Sequence, residues 1–331
     1  MIGWILGVIL LIIKLGIILV ALLLVAGWLV YVERKLLGRL QLRLGPNRAG
    51  PFGLLQPIAD IVKLMTKEDT VPQGADRMVF LFAPAVVAVT ALLIFAVVPF
   101  GKDWMIWGRR LPLVVSDLNV GLLYVFALSS LGVYGVVLGG WASNSKYSLL
   151  GGIRAAAQMI SYELSLGLSL VPVVMLAHSF SLVDIVKAQA GMPFIVMQPV
   201  AFGVFFISAV AEIKRIPFDL PEAEHELVAG YHTEYSGMRF GLFFLGEYIT
   251  MISLGALLAV FFLGGWRGPL LPPLVWFCLK VSLVIFVMIW IRGTLPRLRY
   301  DQLMDLGWKV LVPVALVNIV LTGGLMLLLS P

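Results

Sequence analysis

The chemistry this chain can do rests on seven carboxylates: Glu212, Asp219, Glu222, Glu224, Glu226 and Glu234 crowd into AEIKRIPFDLPEAEHELVAGYHTEY, residues 211–235, and Glu247 follows in the next apolar run. Only Lys214 and Arg215 lie close enough in sequence to offset them. Like charges held together and partly out of water raise one another's pKa, so such a group shares protons near neutral pH and responds to a nearby change of charge. The plainer alternative is a solvated acidic loop at a membrane surface. Part of the pattern is also structural: Asp219 followed three residues later by Glu222 fits a capping box, with Pro221 suited to the first helical turn. Glu222 and Glu226 would then stand at i, i+4 with no cation between them, a mildly unfavourable pair. Glu163 and Glu247 lie inside apolar runs, where an unpaired charge costs about 2.5–3.5 kcal/mol. Such groups are neutral, paired or beside a hydrated cavity, and on helices adjoining the acidic stretch they point to a proton or ion route.

The elements that must position these groups are membrane helices. With 331 residues, 61% hydrophobic, only 13% charged and a mean hydropathy of +1.02, the chain is far too apolar for a soluble domain. Apolar runs near 2–32, 78–99, 118–140, 155–178, 194–212, 240–264, 272–291 and 308–330 predict about eight transmembrane helices in one all-α integral membrane domain over residues 1–331. The first run is too long for a signal peptide and is kept as a span, with Lys14 snorkelling or facing other helices. Connections 33–77 and 213–239 are the long polar ones. Lys and Arg number seventeen in the odd connections against five in the even ones, which places the odd ones in the cytoplasm and both termini outside.

In the first connection, Gly45, Pro46, Gly50, Pro51 and Gly53 make turns, after which Leu54, Leu55, Ile58, Ile61, Val62, Leu64 and Met65 recur at helical spacing opposite Asp60, Lys63 and Lys67. That spacing predicts an amphipathic helix lying in the bilayer interface or capping the bundle. Trp104 and Trp107 beside Lys102, Arg109 and Arg110 read as an interfacial belt. The single cysteine, Cys278, reads as core packing, and His178, His225 and His232 lack the spacing of haem or metal ligands. No metal site is expected, and any electron carrier belongs to another polypeptide or is diffusible. The net charge of +6 follows from topology rather than from nucleic-acid binding.

Four stretches, ERKLLGRLQLRLGPNRAGPFGLLQPIADIVKLMTKED, GWASNSKYSLLGGIRAAAQMISYE, PFDLPEAEHELVAGYHTEYSGMRFGLFFLGEY and WIRGTLPRLRYDQLM, closely resemble the H-subunit family of proton-pumping NADH:quinone oxidoreductase, which is subunit 1 of the mitochondrial enzyme, respiratory complex I. The resemblance runs over essentially the whole chain. It implies an eight-helix heel of the membrane arm of a bacterial-type inner-membrane complex, docked on peripheral quinone-site subunits and adjacent small membrane subunits. Quinone would be the substrate, while NAD, FMN and iron–sulfur clusters would reside in partner subunits. The resemblance places Glu33, Arg34, Lys35 and Arg43 near a quinone-chamber entrance, with Arg292 either facing the anionic cluster or serving as a positive-inside anchor. It assigns Asp219, Glu222, Glu224, Glu226 and Glu234 to an acidic loop beside the chamber, with Phe243 and Phe244 nearby. Glu163, Glu212 and Glu247 would continue a polar route toward the pump subunits. Some relatives carry glutamate where this chain has Ser130, which leaves that step of the route open. The rival readings are the related heel subunit of a membrane-bound hydrogenase, an independent ion transporter, and a passive anchor.

Overall fold

The computed structural model describes residues 2–106, 109–221 and 224–329. Its helices are α1 (Ile2–Leu40), α2 (Gln56–Thr66), α3 (Arg77–Leu93), α4 (Gly121–Ala142), α5 (Lys146–Ala177), α6 (Leu182–Ala188) and α7 (Phe194–Met197). They continue with α8 (Pro199–Glu212), α9 (Glu224–Leu227), α10 (Gly237–Phe262), α11 (Pro273–Thr294), α12 (Tyr300–Asp305) and α13 (Val312–Leu329). Among the described residues seven helices are long and apolar enough to cross a membrane, the last formed by α12, a π-helical stretch and α13 together, and α8 is a shorter apolar helix. The chain is thus an all-α, multi-pass membrane protein.

The fifth apolar run departs from the sequence expectation. It breaks at Gln198 (φ −132°, ψ 58°) immediately before Pro199, leaving a helix of 14 residues. At about 1.5 Å per residue that is about 21 Å, short of a bilayer core. The cause is local: the ring of Pro199 disfavours a helical conformation at the residue before it. Gln198 uses the break, donating to Thr322 Oγ1 at 3.0 Å and accepting from Asn318 Nδ2 at 3.0 Å, which ties α8 to α13.

Other boundaries shift as well. α1 runs to Leu40, so Glu33, Arg34 and Lys35 stand on the helix rather than in the connection. α5 begins at Lys146, well before the apolar run expected from residue 155, and Gly151 lies on a tightly packed face of it. The connection after α3 carries a short antiparallel hairpin, Trp104–Ile106 against Arg109–Leu111, that the helical pattern did not foretell; Trp107 lies outside the described residues. Lys14 turns toward that connection, donating to the carbonyls of Pro112 (2.7 Å) and Val114. Cys278 is exposed rather than in the core: α11 buries the face carrying Phe277 and Val281, and the thiol points off it.

The bundle is built around α10, whose residues from Met251 to Phe262 are all buried and which packs against α1, α3, α8 and α11. Small residues allow the closest approaches: a Cβ on Gly140 would come within 2.5 Å of the Ser148 carbonyl oxygen. α2 has the expected amphipathic form. Ile58, Ile61, Val62 and Met65 face outward and exposed, the pattern of a helix that lies in a bilayer interface, while Arg34 Nη1 donates to Asp60 Oδ2 at 2.8 Å to fasten it to α1.

Candidate functional site

One end of the bundle holds a buried array of opposite charges. α8 ends at Glu212, and Lys214 then adopts a left-handed conformation (φ 57°) that reverses the chain. Such a turn is ordinarily glycine's, and a lysine there costs about 1–2 kcal/mol. The turn aims Lys214 and Arg215 back at α1 and α10. Arg215 Nη1 lies 3.3 Å from Glu33 Oε1 and its Nη2 lies 3.5 Å from Glu247 Oε2, so one guanidinium joins carboxylates on two helices. Arg292, from the last turn of α11, also pairs with Glu33 Oε1. Lys214 Nζ sits 3.8 Å from Glu247 Oε1 and donates to the hydroxyl of Tyr231 at 3.1 Å, and Tyr231 in turn donates to Glu247 Oε1 at 2.9 Å. Glu33 and Glu247 are 2% and 5% exposed, so charge of this density inside the protein survives only through such pairing.

A second group continues from Glu247. A cavity of about 40 Å³ is lined by Glu247, Lys214, Thr250, Thr90, Ser129 and Glu212. A second, of about 30 Å³, is lined by Glu212, Ser129, Thr250, Ser253 and Glu163 among apolar residues. Glu212 accepts from Ser129 Oγ at 3.3 Å, and its other oxygen is buried without a partner. Glu163, half-buried on α5, accepts from Ser130 Oγ at 2.7 Å. Each cavity exceeds the roughly 10–15 Å³ that one water requires, and each has a few polar groups set in an otherwise apolar wall.

The acidic stretch is not a free anionic loop. Asp219 Oδ2 accepts from Arg297 Nη2 at 2.8 Å, Glu226 pairs with Arg154 on α5, and Gln158 Nε2 donates to the carbonyls of Ala211 and Phe218, both at 2.8 Å. The sequence count that left the carboxylates unbalanced changes in three dimensions, because Arg154 and Arg297 reach Glu226 and Asp219 from distant helices and connections while Arg215 holds Glu247. Burial pushes the Asp219 carboxyl up to about 6, Arg297 opposing the rise and Glu247 adding to it. Burial likewise holds the His232 imidazole down to about 4, with Lys214 lowering it further and Glu247 raising it. Glu226 remains 55% exposed and Glu234 half-buried, with no salt bridge to Glu234 among the described residues. Glu222 lies outside the described residues, so its capping box and its pairing with Glu226 do too; Glu224 opens α9.

The remaining expected site residues divide. Phe244 stands 5.9 Å from the Arg215 guanidinium, and Phe243 packs edge-on against Tyr231 of the array (5.3 Å) and against Tyr235 (4.9 Å). Lys35, half-buried, lies over the Tyr31 ring and exposed Arg43 donates to Gln41, with no salt bridge from either to the charged array among the described residues. The residues that sequence reading under-weighted are Lys214, Arg215, Arg297, Tyr231 and Ser129. No local signal marks most of them, since Arg215 and Glu33 are 182 residues apart.

A family model described as NADH dehydrogenase matches residues 13–323. The chain is also 74% identical over 324 residues to the second NADH-quinone oxidoreductase H subunit of Syntrophobacter fumaroxidans, covering 98% of each chain. The chain belongs to the H-subunit family of NADH-quinone oxidoreductase. Within that family it is 65% identical over 314 residues to the second H subunit of Geobacter sulfurreducens, covering 95% of each chain. It is 61% identical over 319 residues to an H subunit of Syntrophotalea carbinolica, covering 96% of this chain and 97% of the relative. As a member of the H-subunit family it is a membrane subunit of an oxidoreductase complex, complex I, and no group of three or more His, Cys, Asp or Glu placed to hold a metal occurs among its described residues.

Proposed function

We propose that this chain walls the quinone-access chamber of NADH:quinone oxidoreductase and couples quinone reduction to proton translocation. The observation that carries this reading is the continuity of the charged array. Arg292, Glu33, Arg215 and Glu247 follow one another in contact, and two cavities with Glu247, Glu212 and Glu163 in their walls then continue the line. Glu33 and Arg292, with Arg34, Lys35 and Arg43 on the nearby surface, face the entrance side, and α2 lies in the adjacent interface. Quinone enters there as substrate, and NAD, FMN and iron–sulfur chemistry belong to the peripheral partners.

A change of charge when quinone is reduced alters the balance held by Arg215 and the acidic loop, including Asp219, Glu222, Glu224, Glu226 and Glu234. That balance is sensitive, because one pKa unit corresponds to about 1.4 kcal/mol. A proton shift then passes from Glu247 through Glu212 to Glu163. Glu163 and Ser130 open on the membrane flank of α4 and α5, where a neighbouring membrane subunit covers them; lipid alone would leave a carboxyl costly to ionise. The whole chain acts as one transmembrane unit in which α7 and α8 together make the eighth crossing, with connections 33–77 and 213–239 on the cytoplasmic face of a bacterial inner membrane and the termini outside.

The test is inhibitor-sensitive quinone reduction and proton uptake by the complex in liposomes, carrying Glu247→Gln or Glu212→Gln. The reading expects proton uptake per electron to fall. Full coupling in both variants would sink it.

A further inference from the structure

Ser129 holds a position that the proposed route leaves unexplained. It is the only hydroxyl among those lining the two cavities, apart from Thr250, that faces both of them. Its Oγ lies 3.3 Å from Glu212 Oε1, and it shares the lining of the second cavity with Glu163. Ser130, the next residue and about 100° further round α4, is turned outward and exposed, donating to Glu163 Oε1 at 2.7 Å. Glu212 is 4% exposed, and one of its oxygens is buried with no partner, so a proton on Glu212 has few places to go.

Thr250 does not compete for the same role. Its hydroxyl donates to the Gly246 carbonyl on its own helix, whereas Ser129 donates to a carboxylate. A serine hydroxyl has one donor and two acceptor positions, so it can give its proton to one carboxylate while accepting from another.

We infer that Ser129 is the positioning residue that hands protons between Glu212 and Glu163. The inference rests on the route proposed above. In the transfer, the O–H bond of a protonated Glu212 breaks and its proton goes to Ser129 Oγ, while the proton already on Ser129 moves to the Glu163 carboxylate. Ser129 remains neutral throughout, and rotation of its hydroxyl resets the link. Ser130 keeps the receiving carboxylate oriented. The two adjacent hydroxyls thereby supply the link at a place in the bundle where the chain carries no further acid group among the described residues lining the cavities.

The experiment uses the assembled complex in liposomes, with the polypeptide content checked on the purified sample and protons per electron as the readout. Ser129→Ala is expected to lower that ratio, on the order of tenfold for loss of a positioned proton-transfer group partly replaced by water. Ser129→Thr, which keeps a hydroxyl, should restore it, which a purely packing role would not require. Ser130→Ala should lower the ratio less than Ser129→Ala does, because it leaves the Glu212 contact intact. A full ratio in Ser129→Ala, with Glu212→Gln still impaired, would overturn the hydroxyl link and leave water as the carrier. A full ratio in Glu212→Gln would overturn the route itself.

Discussion

Arg297 and Asp219, 78 residues apart in sequence, meet at 2.8 Å where the connection after α11 crosses the acidic stretch. The second Asp219 oxygen is buried with no partner, and burial outweighs Arg297 to hold the carboxyl up to about 6. Infrared difference titration should therefore show a protonated carboxyl that disappears with a midpoint near pH 6 and is absent from Asp219→Asn. Arg297→Ala removes the opposing charge and should move that midpoint upward. A midpoint in the ordinary carboxylate range would contradict the burial argument.

Asp219 and His232 should impose opposite pH dependences on stability. Asp219 rises from 3.8 to about 6 on folding, so its contribution is present below about pH 4 and lost as pH rises to about 6. His232 falls from 6.5 to about 4, so its contribution is present above about pH 6.5 and lost as pH falls to about 4. The two slopes partly cancel in the native chain. Thermal midpoints in detergent should rise more steeply with pH in Asp219→Asn and fall with pH in His232→Phe; parallel curves would argue against both shifts.

Cation removal should be costly in the array and cheap on the surface. Arg215, 9% exposed, serves two buried carboxylates, and breaking such a pair costs about 3–5 kcal/mol. Arg292 still pairs with Glu33, which puts Arg215→Met toward the lower end. The Arg34 to Asp60 pair, with side chains 50% and 31% exposed, is worth about 0–1 kcal/mol. Denaturant titration in mixed micelles would read both, and equal costs would refute the distinction.

Gly151 sets the distance between α5 and the segment carrying Tyr231. A Cβ there would lie 2.6 Å from the Tyr231 backbone nitrogen and 2.7 Å from Gly230, all rigid backbone. Gly151→Ala should displace Tyr231 from Glu247 and lower coupled quinone reduction, whereas Gly203→Ala, with open space around it, should not. Activity of the two variants at matched complex content is the measurement.

The sequence by itself determined that this is a helical membrane protein, where most spans lie, that α2 is amphipathic, and that Glu163, Glu212 and Glu247 sit in apolar surroundings. Those properties are local: they follow from runs of apolar residues and from spacing at the helical period, which any stretch of chain carries within itself. The break at Gln198 was written in Pro199 but hidden by the unbroken hydropathy around it. The outward position of Cys278 was invisible, because a lipid-facing and a core-facing residue are equally apolar. Only the tertiary structure decided the charge balance. Carboxylates that looked uncompensated at residues 211–247 are met by Arg154 and Arg297, and Glu33 is drawn in from the first helix with Arg292 beside it. Electrostatic energy depends on distance through space rather than along the chain, so which charges neutralise one another was fixed only once the helices had packed.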